Sequence, residues 1–413
     1  MRRHRDGEAL VFAAATALAL VHALDDAFVH RGSGLGLGQH ALAGAIAIAA
    51  AVGAMRAFPR VRPGLRAALA FSFGGLALVN GATHAIHVSR YDAGGADVTG
   101  LVAAAAGAVL LALAAAIPRR HRDRRGVVPR GRRWGRRAGA AVGGVLGLIL
   151  VLGPIGMGVV ATHKWRTPIG AAPSAYADVR FRASDGLELA GWYRPSRNGA
   201  AVLVVHGGSS DRNGAIEHAQ MLARHGYGVL VYDSRGRGQS DGRENNYGWD
   251  WPKDVAGALG FLRGRDDVDR RRIGALGLST GADVLIEVAG KRRDVAALVT
   301  DGAAAASFED WHRLRGTEIG AVPGWVMFTT IRVLSGDPPG PPLEDLVRRV
   351  EAPTLLISAG TAEERHANDL YARAATGRVE HWNLPDADHT RAIRQFPAAY
   401  ERRVVGLFDE ALR

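Results

Sequence analysis

Ile273-Gly274-Ala275-Leu276-Gly277-Leu278-Ser279-Thr280-Gly281-Ala282 is the stretch on which the fold turns. Ile273 to Leu276 reads as a short buried strand, and a helix is expected to begin near Ala282. Between them lies Gly277-Leu278-Ser279-Thr280-Gly281, a G-x-S-x-G pattern. Small residues on either side of Ser279 permit a strained strand-to-helix turn that lifts its hydroxyl above a sheet, with a helix N-terminus beneath it. The letters alone are weak in a chain with 54 glycines. Their position at a strand-to-helix junction carries the weight.

Working outward, strand and helix signals alternate from Tyr176 to the end of the chain, which predicts an α/β domain with a largely parallel sheet. Val179 to Arg182 and Leu187 to Tyr193 flank Ser184-Asp185-Gly186 as an opening hairpin. Ala201 to Val205 is a continuous apolar run, the pattern of a central strand, and ends in His206-Gly207-Gly208. A helix is expected near Ala215 to His225. The next strand, Gly228 to Tyr232, closes in Asp233-Ser234-Arg235-Gly236-Arg237-Gly238-Gln239-Ser240, and a helix from Asp254 to Arg263 follows it. Further strands are predicted at Ala296 to Thr300, Thr354 to Ser358 and Val379 to Leu384.

A serine hydroxyl is a poor nucleophile near neutral pH. It needs an imidazole to accept its proton and a carboxylate to hold that imidazole in one tautomer. His389, in Pro385-Asp386-Ala387-Asp388-His389, follows the last expected strand and is the candidate base. The acid is expected in the loop after Thr354 to Ser358, where two glutamates adjoin. Glu363 is the first choice and Glu364 the alternative.

Over roughly 176–413 the chain resembles the α/β-hydrolase family, specifically its membrane-anchored esterase, lipase and peptidase-like members. The order Ser279, Glu363, His389 fits that family's nucleophile-acid-base order. Its oxyanion turn corresponds to His206-Gly207-Gly208, and its Asp-x-Arg-Gly-x-Gly-x-Ser turn to Asp233 through Ser240. The resemblance implies an oxyanion hole formed by the backbone N–H groups of Gly208 and Thr280. It also implies that no cofactor is needed. Many members carry Asp where Glu363 stands. The segment Ser307 to Leu343, with Trp311, Trp325 and Phe328, lies where members insert a cap; its apolar residues either line an acyl or aryl pocket or simply pack. Tyr247, Trp249 and Trp251 form a second aromatic group, a candidate for substrate or membrane-surface contact.

The first 162 residues are outside this resemblance. Five apolar runs, Glu8 to Phe28, Leu35 to Met55, Gly64 to Val88, Val98 to Ile117 and Ala138 to Ala161, are each long enough to span a bilayer. The expected organisation is a five-span membrane domain over 1–162, a linker over 163–175 and the hydrolase-like domain over 176–413. The whole chain, 413 residues with net charge +12, is 47% hydrophobic and 22% charged, which excludes a disordered or fibrous protein. Its excess charge is confined to one part. Residues 1–162 hold 19 arginines against 7 acidic residues, and the remainder is balanced at 33 and 33. Ten of those arginines fall within 119–137, which reads as a topology determinant meeting anionic headgroups rather than a nucleic-acid site. Arginine falls chiefly before the first run and in alternate loops, so the N-terminus is expected inside and the hydrolase-like domain outside the cytoplasm. Cysteine is absent, which removes thiolate metal sites, disulfides and a cysteine nucleophile.

Ionisable residues inside apolar runs are costly and count as functional candidates. His22, Asp25 and Asp26 share one face of the first run, and His84 and His87 lie a turn apart in the third. The five are a candidate metal or proton-relay cluster, with an interhelical hydrogen-bond network as the alternative. The function expected overall is a membrane-anchored serine hydrolase acting on a small-molecule or lipid-like carboxylic ester, or less readily a thioester or amide. An acyltransferase on the same triad, or a membrane sensor or transport component with a hydrolase-like ligand-binding domain, are the other readings. Membrane lipids are its expected surroundings, and nucleic acid is not an expected partner.

Overall fold

A computed structural model describes residues 2–28, 48–88, 95–120, 147, 151–164, 166–315, 318–359 and 361–412. The chain divides into two compact units. One comprises Met1–Arg31, Leu35–Ala161 and Ala321–Gly336; the other comprises Gly32–Gly34, Thr162–Gly320 and Asp337–Arg413.

The first unit is helical, with helices Arg2–Phe28, Pro63–Val88, Gly95–Arg120 and Gly153–Thr162 and a shorter apolar helix Ile48–Ala57. Among the described residues two stretches, Asp6–Asp25 and Val98–Arg119, are long and apolar enough to cross a membrane. Much of the second and fifth expected runs, including 35–47 and 138–146, lies outside the described residues. Helices Pro63–Val88 and Gly95–Arg120 meet through glycine: a Cβ at Gly74 would lie 2.9 Å from the Leu110 Cβ, and one at Gly107 would press into the Leu78 backbone. Close backbone approach through small residues is a usual way for helices to associate where no hydrophobic force drives them together. Phe12 stacks on Phe58 with centroids 4.0 Å apart. Glu8 and Arg66 pair at 2.8 Å, both buried, so neither charge is left uncompensated.

The second unit is an eight-stranded sheet in the order β1-β2-β4-β3-β5-β6-β7-β8. The strands are β1 Ala177–Arg182, β2 Glu188–Arg194, β3 Ala201–Val205, β4 Gly228–Tyr232, β5 Ile273–Leu278, β6 Ala297–Asp301, β7 Thr354–Ala359 and β8 Val379–Leu384. The expected hairpin is present as antiparallel β1 and β2, and β2 joins β4 antiparallel. From β4 to β8 every pairing is parallel. Strands β3 to β7 are buried along their whole length, because helices cover both faces. Helices Pro252–Arg263, Thr280–Lys291 and Ala362–Ala374 contribute to the core on one face, and Arg212–Arg224 and Pro397–Ala411 to that on the other.

Two residues of the expected linker bond to loops of the sheet-containing unit. The Arg166 guanidinium donates to the carbonyls of Gly238, Ser240 and Gly242, and Thr167 donates to Asp211. The expected cap is divided: its middle, residues 321–336, belongs to the helical unit, while its flanks stay with the sheet.

Candidate active site

In parallel sheets ligands gather beyond the carboxyl ends of the strands, and the candidate residues all emerge there. Ser279 follows β5 and precedes helix Thr280–Lys291 with φ 52° and ψ −122°, a left-handed conformation for a residue with a Cβ. Such a turn persists only where its surroundings enforce it. Here the Ser279 N–H donates to the Asp301 carbonyl at 2.8 Å, while a Cβ at Gly277 would overlap the Gly281 carbonyl, and one at Gly281 would lie 2.5 Å from the Val205 oxygen. Both glycines of the motif are therefore demanded by close packing.

The turn holds Ser279 Oγ 2.9 Å from His389 Nε2. On the other side of the ring, His389 Nδ1 lies 2.6 Å from Glu364 Oε2. The glutamate brought to His389 is thus Glu364, the alternative in sequence, and not Glu363, the first choice. Thr361 caps helix Ala362–Ala374 by accepting the Glu364 N–H, and the inward face of that helix is Glu364, Ala367, Asn368 and Tyr371. Glu363 falls on the exposed side. The Thr361-x-x-Glu364 spacing, an N-cap followed three residues later by Glu, was the available sequence signal. The second Glu364 oxygen accepts the Ala359 N–H at 2.6 Å, so the carboxylate is held from both sides.

The hydrogen bond to Glu364 raises the His389 pKa above its ordinary value of 6.5; burial opposes this, and the charges of Glu364 and Asp301 add to it. Asp301, at the end of β6, was not foreseen. Burial pushes its carboxyl up to about 7, with the neighbouring Glu364 charge acting in the same direction. An acidic residue closing an otherwise uncharged strand, Ala297-Leu298-Val299-Thr300-Asp301, was the signal missed.

Gly207 and Gly208 lie against the Ser279 turn: a Cβ at Gly207 would stand 3.3 Å from the Ser279 Cβ, and one at Gly208 2.6 Å from Thr280 Oγ1. Thr280 is the first residue of its helix, where an N–H has no intrahelical acceptor. His206 fixes the preceding turn. It is fully buried, which holds its pKa down at about 4, and its Nε2 accepts the Ser234 N–H at 3.0 Å. Ser234 belongs to the Asp233-to-Ser240 turn, whose Asp233 carboxylate accepts the N–H groups of Arg212 and Gln239. Arg235 is held there by Asp254, Asp185 and Asp250. The two motifs flagged in sequence thus brace one another.

A small cleft, partly open to solvent, lies beside Thr280, lined among others by Tyr247, Trp249, Asp283, Val284 and Leu343. Trp249 donates its indole N–H to the Ala306 carbonyl, and Trp251 is wholly buried, so of the second aromatic group only Tyr247 and Trp249 line the cleft. Asp283 accepts the Ala304 N–H, and burial raises its pKa well above the carboxylate range.

In the helical unit, Thr99 donates to Asp25 at 2.6 Å and lies 3.1 Å from His22 Nδ1. The two share that hydroxyl, and no group of three potential ligands suited to a metal occurs among the described residues. The side chains of Asp26, His84 and His87 lie outside the described residues.

A mostly parallel eight-stranded sheet with a serine on the sharp turn after β5, a carboxylate after β7 and a histidine after β8 defines the α/β-hydrolase fold, and the C-terminal unit is of this class. Residues 196–333 match the family of that fold described as serine aminopeptidase, S33. An uncharacterized protein of Mycobacterium tuberculosis is 39% identical over 139 residues, 32% of this chain and 48% of the relative. The thiohydrolase aneE of Aspergillus aculeatus is 32% identical over 118 residues, 28% of this chain and 37% of its own. The chain thus spans about half or less of these relatives. Among solved structures, the Pyrococcus furiosus esterase Pf2001 has a TM-score of 0.49 and 23% identity, covering 61% of this chain and all of that one.

Proposed function

We propose that this chain is a membrane-anchored serine hydrolase that cleaves a carboxylic ester through an acyl-Ser279 intermediate. One observation carries the reading: the strained Ser279 presents its hydroxyl 2.9 Å from an imidazole whose far nitrogen is bonded to a buried carboxylate. His389 Nε2 takes the hydroxyl proton as Oγ bonds to the substrate carbonyl carbon. Glu364 holds the Nδ1–H and stabilises the imidazolium that forms. The carbonyl oxygen becomes an oxyanion facing the N–H groups of Gly208 and Thr280, where one donor contributes about 2.7 to 4 kcal/mol. Collapse expels the alkoxide, which takes the proton from Nε2. Water, deprotonated by the same nitrogen, then releases the acid and restores Ser279.

The name of the Aspergillus relative supports a thioester as the second substrate class. The two apolar stretches Asp6–Asp25 and Val98–Arg119 support the anchoring, and the arginine-rich alternate loops support a hydrolase domain outside the cytoplasm. The test is covalent labelling by a fluorophosphonate, followed by matched p-nitrophenyl ester and acyl-thioester panels. Labelling and turnover are both expected to vanish in Ser279→Ala. Parental turnover in that variant would remove the triad assignment. A reporter active only outside the cytoplasm, fused after Arg413, should be active.

A further inference from the structure

Between β6 and β7 the chain leaves the sheet-containing unit after Gly320 and returns at Asp337, and the residues between belong to the helical unit. They form most of helix Glu318–Ser335, whose stretch 319–331 contains no charged residue. One face, Gly324, Phe328, Ile331 and Ser335, is buried. The opposite face is also mainly apolar, yet Val322 is 47%, Trp325 56% and Val333 44% exposed. A helix apolar on all sides belongs in a protein interior or in a bilayer.

Its packing partner indicates which. Gly158 of helix Gly153–Thr162 sits against it, so that an added Cβ would lie 2.9 Å from the Thr330 Cβ and 3.0 Å from the Met327 oxygen. That helix ends a run over 138–162 without a charged residue. In sequence such a run exceeds the ~20 apolar residues that a spanning segment needs. The ten arginines over 119–137 that precede it match anionic headgroups. Its own Met157 and Val160 are 61% and 50% exposed. The exposed apolar faces therefore lie on two helices packed together, one of them long in apolar sequence and flanked by positive charge.

We propose that helix Glu318–Ser335 is seated in the lipid bilayer, as an insertion of the hydrolase sequence that lies within one leaflet. About 13 uncharged residues are too few to span, whereas an interfacial position suits Trp325 and lets Arg332 reach the headgroups. This inference is independent of the chemistry at Ser279.

Because the chain has no cysteine, single nitroxide labels can be placed without background. The full chain carrying Trp325→Cys, Val333→Cys, Met157→Cys or, as an aqueous reference, Glu351→Cys (side chain 63% exposed in the sheet unit) is reconstituted in phosphatidylcholine–phosphatidylglycerol vesicles. Power saturation is then measured with oxygen and with a water-soluble nickel chelate. The expected result is several-fold greater oxygen than nickel accessibility at 325, 333 and 157, and the reverse at 351. Nickel accessibility at 325 and 333 equal to that at 351 overturns the proposal. So does protection from both reagents, which would mean that protein covers the face. The two labels on the helix guard against one substitution disturbing it, since a seated helix must show both in lipid.

Discussion

Glu364→Gln isolates the orienting role proposed for Glu364, because the structure dictates how the amide must lie. In the parent, one carboxylate oxygen accepts the Ala359 N–H at 2.6 Å and the other faces His389 Nδ1 at 2.6 Å. Glutamine has one acceptor and one donor group. The Ala359 N–H needs an acceptor, so the amide oxygen stays there and the NH₂ turns to the imidazole. His389 Nδ1 must then accept, which places the ring proton on Nε2, the nitrogen that has to take the proton of Ser279. The wrong tautomer is worth about 10⁴ in kcat, or about 5.5 kcal/mol of barrier. The side chain keeps its volume, so the fold should hold. The assay is kcat and KM on a p-nitrophenyl ester beside a thermal melt, with Glu363→Gln as the comparison. A fall of orders of magnitude in Glu364→Gln, with Glu363→Gln within a few-fold of parental, is expected. Near-parental kcat in Glu364→Gln, or the larger loss in Glu363→Gln, would refute the tautomer argument.

Three further outcomes are expected. The Glu364 bond raises the His389 pKa above 6.5, and the base works when neutral, so kcat/KM should fall on the acid side with an inflection above 6.5. Oppositely, the pairing stabilises the fold most at low pH, below the pKa of the unfolded chain, and that contribution is lost as pH rises through the folded value; a pH series of activity and melting reads both. Ser279→Gly should abolish fluorophosphonate labelling and melt higher than Ser279→Ala, because glycine relieves a φ of 52° whose strain costs on the order of 1–3 kcal/mol. Equal melting of the two would show the turn unstrained. Arg235→Leu should destabilise by about 3–5 kcal/mol in denaturant titration, since it leaves the wholly buried Asp254 without its guanidinium partner at 2.7 Å; a loss under 1 kcal/mol would mean that Asp254 is folded in its protonated form.

The strand alternation, the tight turn at Ser279 and the chain order of Ser279, a glutamate and His389 were legible because each is a local matter. A five-residue apolar run such as Ala201–Val205 can satisfy itself only inside a sheet, and Gly277 and Gly281 announce a turn too tight for side chains. Apolar length likewise marked the N-terminal helices without reference to any neighbour. Which of two adjacent glutamates meets His389 was another matter. It depends on where the Thr361 cap starts helix Ala362–Ala374 and on a rotation of about 100° per residue about the helix axis, which carries Glu364 inward and Glu363 outward. Asp301 needed the register of β6 against β5, and the pairing of His22 with Asp25 through Thr99 needed a second helix 74 residues away in the chain. Tertiary packing alone also assigned residues 321–336 to the helical unit. The physical reason is the same each time: periodicity and apolar length are properties of a segment, whereas the partner of a buried polar or apolar side chain is supplied by distant chain and appears only when the fold closes.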